Sequence, residues 1–273
     1  MMPAFGGDDF FVGWQDPPPP GVRRTLVSAT RLLLALAAGL AVLLATVQGP
    51  LRGGRFEFGV ERELEGVVSE RPAPSLRVAR PGHLDGLDAA AVPVVSRWLL
   101  VAQGKHGAQE LVAGLDGRRV RARGSLVFRD GQTLLELSGR PQELDPVAAP
   151  VLSIAPPAAP APLPLGRATL RGEIVDSKCS FGVMVPGDGR AHRACAIRCL
   201  SGGIPPVFRV RTEEGGELCL LLVGRDGRAL NREILDRVAE PLVITGEVER
   251  HDDLLVLRAE PAEFVSEAAT GLR

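Results

Sequence analysis

Short apolar runs bounded by Gly-Gly, Asp-Gly or Asp-Asp turns, glycines set inside several of those runs, and one long charge-free stretch near the N-terminus together define the fold class. They predict a mainly β protein with short helices. The expected order is an N-terminal transmembrane helix followed by two tandem small OB-like β-barrels, with a small β-sandwich as the alternative. The chain has 273 residues, enough for two small domains. Gly 32 and Pro 23 fit short strands and many turns. A net charge of −1, 4% aromatics and no tyrosine argue against nucleic acid as a partner, because neither a basic footprint nor a stacking platform is present.

Residues 1–24 read as a polar cytoplasmic tail. Pro17 to Pro20 is expected to be extended rather than helical. Phe10, Phe11 and Trp14 suit either a docking motif or the membrane interface. Residues 25–48 follow as the transmembrane helix, since Leu32 to Val47 carries no charge and the segment reaches the ~20 residues a bilayer requires. A cleaved signal peptide is the competitor, but the apolar core exceeds the usual 7–15 residues and the leading tail is long. Arg23, Arg24 and Arg31 before it, against Arg52 and Arg55 after it, place the N-terminus in the cytoplasm. The expected location is a bacterial inner membrane, single-pass, with the rest of the chain in the periplasm.

Beyond the anchor the chain resembles itself. Leu64-Glu-Gly66 aligns with Leu170-Arg-Gly172, and Gly124 aligns with Gly246. Val78 to Gly82 aligns with Val183 to Gly187, which sets Asp85 to Ser96 opposite a cysteine-bearing helix. These matches predict a first OB-like domain at 55–147 without cysteines, a Pro/Ala-rich linker at 148–165, and a second OB-like domain at 166–267. An insertion around Asn231 to Glu240 reads as a helix. Runs at 209–212, 217–223, 242–249 and 254–258 read as strands.

The second copy holds the chemistry. Cys179, Met184, His192, Cys195 and Cys199 fall within one short stretch. If Ala191 to Leu200 is a helix, His192, Cys195 and Cys199 lie within roughly 60° on one face at about 100° per residue. Thiolates, an imidazole and a thioether suit copper(I), and Cys with His alone suits zinc. The candidate metal ligands are therefore Cys179, Cys195, Cys199, His192 and Met184. Structural disulfides are the alternative. Cys179 with Cys195 or Cys199 closes a loop of about 15–20 residues, worth ~3 kcal/mol in the chain-entropy model, and the remaining helix cysteine is left to pair with Cys219. A thiol redox role ranks lower, because no Cys-x-x-Cys occurs. No nucleophile elbow, phosphate loop or metalloprotease spacing is present, so no catalytic residue is assigned and the chain reads as a non-enzyme.

The order Gly172-x-Ile-Val-Asp-x-x-Cys179, then Cys195-Ala-x-x-Cys199 with Gly202-Gly203 soon after, resembles small secreted or periplasmic bacterial domains of OB-like type that lack an assigned activity. The resemblance spans roughly 166 to 265 and implies an envelope location and a small barrel. The functional expectation is a membrane-anchored periplasmic accessory protein with a copper or zinc site, serving an envelope partner. An interaction scaffold with inert disulfides is the alternative.

Overall fold

Helix α1 runs Pro20–Val47, in a computed structural model that describes residues 19–47, 54–80, 94–144, 159–212 and 216–269. It begins earlier than the sequence predicts. Proline fits the first helical position, where its missing N–H would have had no partner, so Pro20 starts the helix instead of ending an extended run. Its 28 residues span about 42 Å at 1.5 Å each, more than the ~30 Å of a bilayer's hydrocarbon. Its leucines are exposed along the length. The expectations for Phe10, Phe11 and Trp14, and for the linker before Ala159, lie outside the described residues. The chain forms two compact units, Met1–Arg52 and Gly53–Arg273.

In the second unit, β1 (Gly54–Phe56), β2 (Arg62–Ser69), β3 (Ser75–Arg80), β4 (Val94–Ala102), the one-turn helix α2 (Gln109–Val112), β5 (Arg119–Arg129), β6 (Gln132–Leu137) and β7 (Gln142–Glu143) build a first barrel. Its five main strands run β5-β2-β3-β4-β6, and β6 returns to β5 to close the ring; β4 and β6 are parallel. A second barrel follows: β8 (Leu163–Asp176), helix α3 (Gly189–Ser201), β9 (Pro206–Arg211), β10 (Glu217–Val223), β11 (Leu242–His251), β12 (Leu254–Arg258) and the short β13 (Val265–Ser266). Its ring runs β11-β8-β9-β10-β12 and closes from β12 to β11, again with one parallel pair, β10 with β12. Both are closed five-strand barrels of OB-like topology. The glycines read from the sequence explain the tight curvature. A Cβ on Gly124 would lie 2.0 Å from the Glu136 carbonyl oxygen, and one on Gly172 2.1 Å from that of Arg209.

Two sequence expectations are corrected. Val78 lies on β3, whereas Val183 to Gly187 belongs to the loop before α3, so these segments are not counterparts. By topology α3 stands between the first and second barrel strands, where the first barrel has only the five residues 70–74, and Ser96 is on β4. The segment 231–240 is not a helix but turns, with a single 3-10 turn at Leu235–Arg237. Leu230, Ile234 and Val238 mimic a helical period because all three are buried in the second barrel's core. Ala239, at φ 57, breaks the run.

Three apolar cores result. One fills each barrel, and a third lies between them. The third joins Leu99, Val101, Val127 and Leu134 of the first barrel to Val175, Phe181, Ile204, Val207, Leu221 and Val256 of the second. Cys179, Cys199 and Cys219 belong to this shared layer. A buried ionic contact pins its edge. Asp252, at the β11–β12 tip, accepts two hydrogen bonds at 2.9 Å from Arg77 of β3 and one at 3.1 Å from Arg97 of β4. Asp253 accepts the Arg97 backbone N–H at 2.6 Å.

Candidate metal and thiol site

The cysteine site begins where β8 ends. The Asp176 carboxylate accepts the Cys179 N–H at 2.8 Å, which turns the chain out of the sheet and directs it into the inter-barrel layer. A wide turn, Cys179–Val183, follows and closes with Met184 N–H on the Cys179 carbonyl at 3.4 Å. Gly182 holds φ 150 with its Cα against Arg55 of β1; a Cβ there would stand 2.5 Å from the Arg55 nitrogen. Helix α3 then returns over the turn. It stops at Gly202-Gly203: Gly203, at φ 93, donates its N–H to Leu200, and Ile204 donates to Cys199. Asn231 completes the stop, giving its amide to the carbonyls of Leu200 (2.9 Å) and Ile204 (2.7 Å).

The helix reads two residues longer at its start and one at its end than expected, and its predicted face is the observed one. His192 and Cys199 are buried and Cys195 is half-buried. One ligand atom each of Cys179, His192 and Cys195 lies within 4.8 Å of the others, and the same holds for Asp176, Cys179 and Cys199. The Cys179 and Cys199 sulfurs are 3.9 Å apart. His192 Nε2 lies 3.0 Å from Asp176 Oδ2, with both side chains sealed from solvent. This leaves Nδ1 as the imidazole's remaining donor atom. A histidine held through one nitrogen by a carboxylate is the arrangement that orients a metal ligand.

Cys179 thus stands near His192 and Cys195 in one group and near Asp176 and Cys199 in another. Met184 lies on the loop before α3 and is 43% exposed. All four cysteines are free, so the two-bridge reading finds no disulfide. Cys219 lies on β10 as an apolar thiol, pushed up to about 12 chiefly by burial.

Two groups escaped the sequence reading. Lys105 belongs to the loop after β4 of the first barrel, yet its ammonium donates to Cys195 Sγ at 2.8 Å and reaches Cys199 Sγ at 3.7 Å. Lys178, buried beside Cys179, donates to the carbonyls of Ala102 (3.1 Å) and Gly104 (2.7 Å) and pairs with Glu136. Both reach partners more than 40 residues away in the chain, so no local pattern signals them. Electrostatics divides the thiols. The hydrogen bond between Cys179 and Cys199 raises the former well above the ordinary thiol range and lowers the latter; burial adds to the rise, and the nearby Lys105 charge favours the Cys199 thiolate. Lys105 is itself raised, chiefly by its bond to Cys195. Ser177 and Ser180 flank the Lys178-Cys179 pair, fully buried, with hydroxyls that have no hydrogen-bond partner. Such orphaned buried hydroxyls are uncommon.

No family model matches this chain, and no curated protein matches it significantly. Among solved structures it is similar to a deletion mutant of the single-stranded DNA binding protein from Thermus aquaticus, with 13% identity over 78% of this chain and 94% of that one. The TM-score is 0.21, too low to carry any conclusion. What the structure defines is a pair of closed OB-like barrels with a cysteine, histidine and aspartate cluster between them, preceded in the sequence by an N-terminal helix apolar enough to be an anchor or a signal sequence.

Proposed function

We propose that this chain is a single-pass anchored accessory protein of a bacterial inner membrane, its N-terminus cytoplasmic and its barrels periplasmic, that holds a soft metal ion for a partner in the envelope. The supporting observation is that Cys179 stands in two ligand groups, one with His192 and Cys195 and the other with Asp176 and Cys199. Two thiols with an imidazole, or two thiols with a carboxylate, are donors zinc takes, and the thiols suit copper(I). The Asp176–His192 pair and the orphaned Ser177 and Ser180 hydroxyls fit a built polar site better than plain packing. The resemblance to small secreted and periplasmic domains supports the envelope location.

The full chain, purified reduced and anaerobically in detergent, is expected to bind one equivalent of zinc or copper(I) by elemental analysis. Cys179→Ser and Cys199→Ser are each expected to abolish that binding. A wild-type chain that takes up neither metal sinks the proposal.

A second reading has one observation of its own. The 3.9 Å between the Cys179 and Cys199 sulfurs lets a structural disulfide form with little movement, as a scaffold protein of the periplasm would use. Mass mapping under non-reducing conditions separates the two: a stoichiometric Cys179–Cys199 bridge in protein isolated from cells favours the scaffold.

A further inference from the structure

We infer that Lys105, supplied by the first barrel, is the built-in counter-charge of the thiol site on the second, so that ion binding and barrel docking reinforce each other. This inference rests on the metal reading above and extends it to a residue outside the cysteine-bearing barrel.

The loop that carries Lys105 is clamped at both ends. On its leading side Lys178 holds the Ala102 and Gly104 carbonyls. On its trailing side Gly107 donates its N–H to the Gly202 carbonyl at 2.9 Å, and the Gln109 side chain donates to the Gly203 carbonyl at 2.8 Å. Gly202 is glycine for this contact: a Cβ there would lie 1.8 Å from the Lys105 carbonyl oxygen. The stop of α3 and the loop of the first barrel are therefore one joint, and the ammonium leaves that joint toward Cys195 and Cys199.

Charge gives the joint its purpose. Three thiolates around a divalent ion carry one net negative charge in a layer shared with Leu99, Val101 and Val256. An uncompensated charge beside such apolar surroundings is costly, and an ammonium donating N–H···S bonds offsets it. Lys105 is exposed on its solvent side, so its removal should leave the cores intact.

The test uses the full reduced chain in detergent with zinc as the probe. Lys105→Met is expected to weaken zinc binding about tenfold or more, the range seen when groups that hold metal ligands are removed, and Lys105→Arg to recover part of the loss. Zinc is expected to slow hydrogen exchange at the Gly107 amide in the wild type and not in Lys105→Met. Gln109→Ala loosens the loop but keeps the ammonium. If Gln109→Ala weakens zinc binding as much as Lys105→Met, docking alone explains the effect and the counter-charge role is overturned. Equal zinc affinity in wild type and Lys105→Met also overturns it while leaving the metal site standing. A wild type that binds no metal overturns the reading beneath it.

Discussion

At the residue scale, Asp252 ties the second barrel to two arginines of the first, Arg77 and Arg97. Burial would raise its pKa, but the hydrogen bond from Arg77 and the charge of Arg97 outweigh it and hold the carboxyl below the ordinary range. A carboxylate depressed in the folded state contributes stability above its unfolded pKa, near 4, and that contribution disappears as pH falls through the folded value. Urea midpoints are therefore expected to drop below about pH 4 in the wild type, with this component missing from Asp252→Ala. At neutral pH the variant removes the carboxylate shared by two buried guanidinium groups and should lose about 3–5 kcal/mol. A variant as stable as wild type would show that the contact is incidental.

Residues also show where sequence reading stops. The spacing of His192, Cys195 and Cys199 fixed their common face, because helical periodicity is local. Asp176 was visible beside Cys179, but its bond to His192 depends on α3 folding back. Lys105 is separated from Cys195 by most of a barrel and a linker, and no short-range rule reaches that far. Met184 follows the wide turn, 43% exposed, on the loop before α3.

At the scale of elements, strand glycines proved more reliable signals than apolar periodicity. Gly66 and Gly124 in the first barrel, and Gly172 and Gly246 in the second, sit where neighbouring backbone leaves no room for a Cβ. Gly124→Ala is expected to destabilise by about 1–3 kcal/mol as β5 and β6 are pushed apart. Gly139→Ala is the control: a Cβ there meets nothing within 4 Å, so its thermal midpoint should be unchanged or slightly raised. Equal midpoints for the two variants would refute the crowding account. The segment 231–240 shows the opposite case. Its four-residue spacing came from three anchors in a barrel core rather than from helical turns, and a period alone does not distinguish the two.

At the scale of the whole molecule, the two compact units make separable predictions. The full chain should sediment with membranes and be released by detergent but not by high salt. Residues 53–273 expressed alone should remain soluble, since their apolar cores close without α1. Release of the full chain by salt would argue against an anchor.

The β11–β12 tip has a consequence for what the first barrel can hold. OB barrels usually grip their ligands along the second and third strands, which here are β3 and β4. That surface is already engaged: Asp252 of the neighbouring barrel is seated on the Arg77 and Arg97 guanidinium groups, and Asp253 on the Arg97 backbone N–H. Any outside molecule seeking those arginines competes with a tethered occupant, whose effective concentration is set by the tether rather than by dilution.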